Sequence, residues 1–236
     1  MTTDRSLRLA GVGVRLGTTD ALREVGCEID ASRVAVIGHN GSGKSTFARV
    51  VGGLLAPTSG ELRVHGLDPR RDARALRRRT AFIFSNPAAQ IVMPTVREDL
   101  AYTASGFERD RARRDELVAA TLERVGLAEH AETPAHSLSG GQQQLLALAN
   151  AFIREPSLIV ADEPTAYLDA ANTRRIARAL LRDAPEAGAQ VVVVTHDLEL
   201  AAHCDVALRF EGGRLEAVGE PAALIEAYAR DVGPLL

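Results

Sequence analysis

Nine consecutive residues, Gly38-His39-Asn40-Gly41-Ser42-Gly43-Lys44-Ser45-Thr46, restrict the possible folds of this chain more than any other stretch. They fit G-x-x-x-x-G-K-S, the P-loop pattern. The apolar run Arg33 to Ile37 before them reads as a buried strand, and Ser45 to Leu55 after them as a helix closed by Pro57 and Gly60. In that setting the glycines let backbone N–H groups curl around phosphate oxygens, and the helix N-terminus adds a favourable dipole. Lys44 brings positive charge to β- and γ-phosphates, and the Ser45 hydroxyl is placed to ligate Mg²⁺. His39, Asn40, Gly41, Ser42, Gly43, Lys44, Ser45 and Thr46 are therefore the candidate nucleotide contacts.

Other short β-rich runs alternate with helical patterns, which predicts an α/β architecture with a largely parallel sheet. Ala81 to Phe84, Leu158 to Ala161 and Val191 to Val194 read as strands. Val206 to Phe210 and Arg214 to Val218 flank Glu-Gly-Gly, a hairpin signal. From about Ala88 to Arg154 helical periodicity takes over: Val118, Leu122 and Val125 fall at i, i+4 and i+7, and Gly126 sits at a helix C-terminus. The expectation is one domain over 1–236, with an α/β core at 1–87 and 156–236 and an inserted helical subdomain at 88–155.

Leu158-Ile159-Val160-Ala161-Asp162-Glu163 is an apolar strand ending in two acids. Beside a P-loop, Asp162 is placed to hold Mg²⁺ directly or through water. Glu163, one step on, is placed to polarise an attacking water.

Leu138-Ser139-Gly140-Gly141-Gln142 is a further element, and Thr195-His196-Asp197 follows the Val191 to Val194 strand. P-loop, LSGGQ, Asp-Glu and Thr-His-Asp in this order resemble the ABC ATPase family, over nearly the whole chain. The resemblance implies a RecA-like P-loop core with a parallel sheet, an N-terminal antiparallel β portion and the helical insertion. It implies ATP and Mg²⁺ as ligands and ATP hydrolysis as the reaction, with Glu163 and His196 catalytic and His196 sensing the γ-phosphate. Ser139, Gly140, Gly141 and Gln142 then contact nucleotide, and Asp169 matches the family's D-loop aspartate.

Spacing points to a dimer. Ser139 is a good N-cap for a helix running to about Arg154, which is ~24 Å long. Gly140 and Gly141 of this signature thus lie far from the Leu158 to Ala161 strand of their own chain, and a second subunit, identical or related, would supply them head to tail across a two-fold axis.

Two positions depart from the family. Leu16 falls where many relatives carry an adenine-stacking aromatic residue. Ser85, in Phe84-Ser85-Asn86-Pro87, stands in place of the Q-loop glutamine and is too short to span to Mg²⁺ and water; Gln90 lies five residues on. The stretch Asn86 to Leu100, with Asn-Pro-x-x-Gln and Pro-Thr-Val-x-Glu-Asp, resembles energy-coupling-factor ATPases, and Gln-Ile-Val-Met-Pro resembles the biotin-uptake members. The acids frequent after Asn-Pro are Ala88 and Ala89 here. This resemblance implies a transmembrane coupling protein and a substrate-binding membrane subunit as partners, and a peripheral position on the cytoplasmic face of the membrane.

A formal net charge of −3 gives no basic surplus for nucleic acid, so none is expected as a partner. The Arg70 to Arg79 and Arg109 to Glu116 runs read as solvated faces. Cys27 and Cys204 stand alone, as in a reducing compartment. The N-terminus lacks a secretory signal pattern, and no stretch reaches membrane-spanning length. No Asn-Lys-x-Asp guanine motif appears. The segment between P-loop and signature is too short for the coiled coils of DNA-repair relatives.

Overall fold

The structure, a computed structural model, describes residues 4–232. β1 (Leu7–Leu16) and β2 (Thr19–Ile29) form an antiparallel pair, and β3 (Arg33–Gly38) runs into α1 (Lys44–Val51). β4 (Ser59–Val64) returns to pair with β1 and is followed by α2 (Ala73–Arg79) and β5 (Thr80–Ile83). Next come α3 (Val96–Ser105), α4 (Arg111–Val125) and α5 (Gly140–Phe152). β6 (Leu158–Asp162) leads to α6 (Ala170–Arg178), which continues through a π-turn into α7 (Ala184–Glu186). β7 (Gln190–Val194), α8 (Leu198–Ala202), the hairpin β8 (Val206–Glu211) and β9 (Arg214–Gly219), and α9 (Pro221–Val232) complete the chain.

The main sheet has the order β5-β6-β7-β3-β8-β9 and is parallel except for β9. Both its faces are covered, which is why its strands read as continuous apolar runs. Alternation sorts their side chains: Ala35, Ile37, Ile159, Val191 and Val193 join the core under α3, α4 and α5. Val34, Val36, Val160, Val192 and Val194 join the opposite core, with Phe47 of α1 and Leu7 and Val12 of the small sheet. The small antiparallel sheet has the order β2-β1-β4. The RecA-like core, antiparallel β portion and inserted helices anticipated above are all present.

Some boundaries differ from the sequence expectation. α1 stops at Val51, short of Leu55, because Gly53 turns left-handed (φ 71°) and the Leu54 N–H bonds the Arg49 carbonyl (2.8 Å). α5 ends at Phe152 rather than about Arg154. Gly126 closes α4 in the left-handed conformation, as its position implied.

Two ties fix the small sheet to the main one. The Arg23 N–H of β2 bonds the Gly213 carbonyl in the β8–β9 turn (2.8 Å). His65, just after β4, is buried, and its Nε2 donates to Gln190 Oε1 at the start of β7 (2.9 Å). Gln190 Nε2 in turn donates to the Ala31 carbonyl (2.8 Å). Replacing His65 with Leu strands a buried acceptor, so stability should fall by ~1–3 kcal/mol in denaturant unfolding. Burial also lowers the His65 pKa from its ordinary 6.5. The unfolded chain then takes up a proton that the folded chain refuses, so stability is present above about pH 6.5 and lost as pH falls toward the depressed value. Thermal melts at pH 7.5 and 5.5 should show a smaller acid loss in His65→Leu than in the parent.

Gly38 ends β3 at φ 142°, and a Cβ there would overlap the Phe210 carbonyl oxygen of neighbouring β8. Gly41, at φ 77°, has nothing within 4 Å of where a Cβ would stand. Gly38→Ala should therefore cost ~3 kcal/mol or more, since strain and collision combine. Gly41→Ala should cost ~1–2 kcal/mol, the conformational part alone. Equal losses in chemical denaturation would show that close approach is not what selects Gly38.

Candidate functional site

The C-terminal ends of β3, β6 and β7 meet at one sheet edge. The parallel register sets Asp162 opposite Val194, and Val36 opposite Val194 from the other side. The P-loop leaves β3 there. Lys44, almost fully buried, donates through Nζ to the carbonyls of Gly38 (2.7 Å) and His39 (2.8 Å). Burial pulls its pKa down, opposed by the nearby Glu163 and Asp162 carboxylates. Gly43 caps α1 in the left-handed conformation. The Ser42 hydroxyl inside the loop is buried and has no hydrogen-bond partner among the described residues. An orphaned polar atom beside a helix N-terminus fits a loop built to close on an anion.

Ser45 Oγ donates to Asp162 Oδ1 (3.0 Å), joining α1 to the end of β6. That hydroxyl–carboxylate pair fits Mg²⁺, which binds through one or two protein oxygens and otherwise through water and substrate phosphates. Glu163 sits one residue beyond, in the left-handed region at φ 53°, with its N–H on the Val194 carbonyl (2.9 Å). The unusual backbone turns its side chain along the edge toward β7. There the Glu163 carboxylate accepts the His196 backbone N–H (3.2 Å) and lies 3.2 Å from His196 Nε2. Burial raises the Glu163 pKa, and His196 and Lys44 pull against that rise. Thr195 Oγ1 accepts the Asp197 N–H (3.0 Å), and Asp197 caps α8 through the Leu200 N–H (3.0 Å). The imidazole is thereby held at the mouth of a helix start.

Asn40 to Thr46, Glu163 and His196 line one cleft of about 450 Å³, with Thr19, Asp20, Ala21 and Arg23 of β2 as its far wall, and Asp162 meets it through Ser45. The contribution of β2 is not legible in the motifs. His39 lies outside the cleft lining, with its ring against Tyr228 of α9. Leu16 is 44% exposed beyond the cleft and does not line it.

The signature stands apart. Ser139 caps α5 in a reciprocal pair: its Oγ accepts the Gln142 N–H (3.3 Å), and Gln142 Oε1 accepts the Ser139 N–H (2.9 Å). None of Ser139, Gly140, Gly141 and Gln142 lines the cleft. α5 carries them ~20 Å from the end nearest β6. Gly140 faces open space, whereas Gly141 packs against Asn172. Asp169 is also outside the cleft and caps α6, accepting from the N–H groups of Ala171 and Asn172 (2.9 Å each) and from Asn172 Nδ2 (2.8 Å). Asn172 thus joins signature and Asp169, a role that no spacing in the sequence announced.

Ser85 is exposed at the end of β5. Gln90 does not take its place: its Oε1 accepts the Phe84 N–H (2.9 Å) and its Nε2 donates to the Phe82 carbonyl (3.0 Å). The side chain is spent on closing the strand end. Among the Arg70 to Arg79 residues, Arg70 donates to the Pro57 carbonyl and Arg71 stands 4.0 Å from Asp68.

The sequence pattern of the ABC transporter family matches residues 23–166. BioM, a biotin transport ATP-binding protein of Rhizobium etli, is 38% identical over 225 residues, covering 95% of this chain and 97% of that protein. The energy-coupling factor transporter ATP-binding protein EcfA1 of Symbiobacterium thermophilum is 39% identical over 201 residues, 83% of this chain and 70% of that protein. The structure of cbiO1 from Clostridium perfringens, part of the ABC transporter complex cbiONQ, superposes with a TM-score of 0.83 at 28% identity, over 98% of this chain and 95% of that one. Agreement from the first strands to the last helix leaves one conclusion: the chain belongs to the ABC transporter family, as an ATP-hydrolysing subunit related to the energy-coupling-factor type.

Proposed function

We propose that the chain powers an energy-coupling-factor importer of a vitamin or metal ion from the cytoplasmic face of the membrane. It would pair head to tail with a second ATPase subunit and dock on a transmembrane coupling protein that carries a substrate-binding membrane subunit. Biotin is the first cargo to try, because BioM is a full-length relative. Among the described residues no helix is long and apolar enough to cross a membrane, so the work would pass through those partners. The observation that carries hydrolysis, rather than nucleotide binding alone, is the Glu163–His196 pair in one cleft with Lys44 and with Ser45, which bonds Asp162.

In this reading Lys44 exchanges its two carbonyl partners for phosphate oxygens. Ser45 and Asp162 would hold Mg²⁺, which would supply charge neutralisation to bound phosphate. Glu163 orients the attacking water and accepts its proton, while His196, steadied by Glu163 and by the capped start of α8, faces the γ-phosphate. Ser139, Gly140, Gly141 and Gln142 of the second subunit close the other side, and Asp169 lies beside them through Asn172. The exposed Ser85 and the committed Gln90 favour a second reading, a slow or regulatory partner in a pair with a non-identical ATPase.

Glu163→Gln should lower phosphate release by about 10²–10⁴-fold and leave an ATP-dependent dimer in light scattering. Unchanged turnover would remove Glu163 from its role, and absent turnover in the parent would select the regulatory reading. Because the raised Glu163 pKa must be crossed before the carboxylate accepts a proton, activity should rise with pH through a limb above the ordinary carboxylate range; a flat profile there argues against it. Gentle solubilisation of native membranes should recover a multi-helix coupling protein with the tagged chain. Recovery of soluble partners alone would overturn the transporter role.

A further inference from the structure

The nucleotide chemistry leaves one contact at the P-loop unused. The Tyr228 ring of α9 lies against the ring of His39, 5.1 Å between centroids and tilted by 52°. α9 is firmly seated. Leu224 and Ile225, and Tyr228 one helical turn on, pack on the core that contains Leu200 and Ala201 of α8. Its last turn is tied by the Asp231–Arg209 ion pair, with the Arg209 side chain only 14% exposed. Arg209 adjoins Phe210, the β8 residue paired with Gly38. α9 is therefore anchored on the strand that the P-loop's first residue packs against, and on the helix that follows His196.

His39 is more than a rim residue. Its carbonyl accepts Lys44 Nζ (2.8 Å) and also the Ser42 N–H (3.2 Å). The residue that leans on Tyr228 thus sets both the buried ammonium and an amide of the phosphate cradle.

We infer that Tyr228 is a positioning residue for nucleotide binding, bracing His39 so that the P-loop is ordered before phosphate arrives. This rests on the nucleotide site proposed above. Losing the ring leaves the nucleotide to order the loop, and that ordering is subtracted from affinity. Tyr228 touches no reacting atom, so the loss should appear in binding more than in turnover.

The test is equilibrium titration of the full chain with a fluorescent non-hydrolysable ATP analogue and Mg²⁺, alongside steady-state hydrolysis. Tyr228→Ala should weaken binding about 3–10-fold, the size of an aromatic pair's contribution. KM for ATP should rise by more than kcat falls. Tyr228→Phe keeps the ring and should bind within about twofold of the parent. His39→Ala should resemble Tyr228→Ala, and the double variant should be no weaker than either. If Tyr228→Ala melts near the assay temperature, Tyr228→Leu keeps the apolar seat of α9 and is judged by the same criteria. Parent-like binding by the ring-less variant, equal loss in Phe and Ala, or additive losses would each overturn the inference. A parent chain that binds no analogue would overturn the nucleotide site itself, and this inference with it.

Discussion

A single buried ammonium organises this molecule. Taking Lys44 out of water is unfavourable unless its donors find partners, and two loop carbonyls take two of the three at 2.7 and 2.8 Å. Those carbonyls belong to Gly38 and His39, so the loop must curl back over the lysine. It can do so because Gly38 carries no Cβ to strike β8. The carboxylates of Asp162 and Glu163 lower the remaining cost, and they reach the loop because β6 and β7 end level with β3. Register and one missing methyl thus bring the loop, the lysine and both carboxylates to one place. The same charge is what a phosphate would meet.

The edge so formed gathers only some of the motif residues. The elements at the ends of β3, β6 and β7 converge on the cleft, while Ser139–Gln142 and Asp169 are gathered elsewhere, with Asn172 between them. α5 is buried over most of its length, and the residues at its N-terminus do not line the cleft. At Gly140 nothing stands within 4 Å of where a Cβ would be, so the backbone there is open. Two such molecules arranged head to tail satisfy both surfaces at once, which gives the dimer a geometric reason independent of resemblance.

The fold and the inner site were legible because their determinants are local. Val191 to Val194 can only be a covered strand, and Gly38 to Thr46 specifies strand, turn and helix within one stretch. Ser45–Asp162 could be anticipated because each residue sits at a motif end. What was hidden depends on pairs distant in sequence. His65 meets Gln190, Arg23 meets Gly213, and Tyr228 meets His39, and none carries a recognisable spacing. Gln90 shows a different limit: its number invited comparison with the missing glutamine, but its side chain serves the backbone of β5. Hydrogen-bond demand at a strand end cannot be read from residue type.

That use of Gln90 bears on how the helices and the core communicate when residue 85 is a serine. Asn150 of α5 donates to Asp99 Oδ2 of α3 (2.8 Å), and Asp99 Oδ1 accepts the N–H groups of Val92 (2.8 Å) and Met93 (3.0 Å). Gln90, two residues earlier, holds the end of β5 at Phe82 and Phe84. A run of hydrogen bonds and the backbone segment from Gln90 to Met93 therefore join α5 to the end of β5, passing Ser85 by. Displacing α5 against β5 must stretch that run or carry the segment with it. The link needs no side chain at position 85. A glutamine there would add reach toward the cleft, whereas the contact between α5 and the end of β5 is already made by Asn150, Asp99 and Gln90.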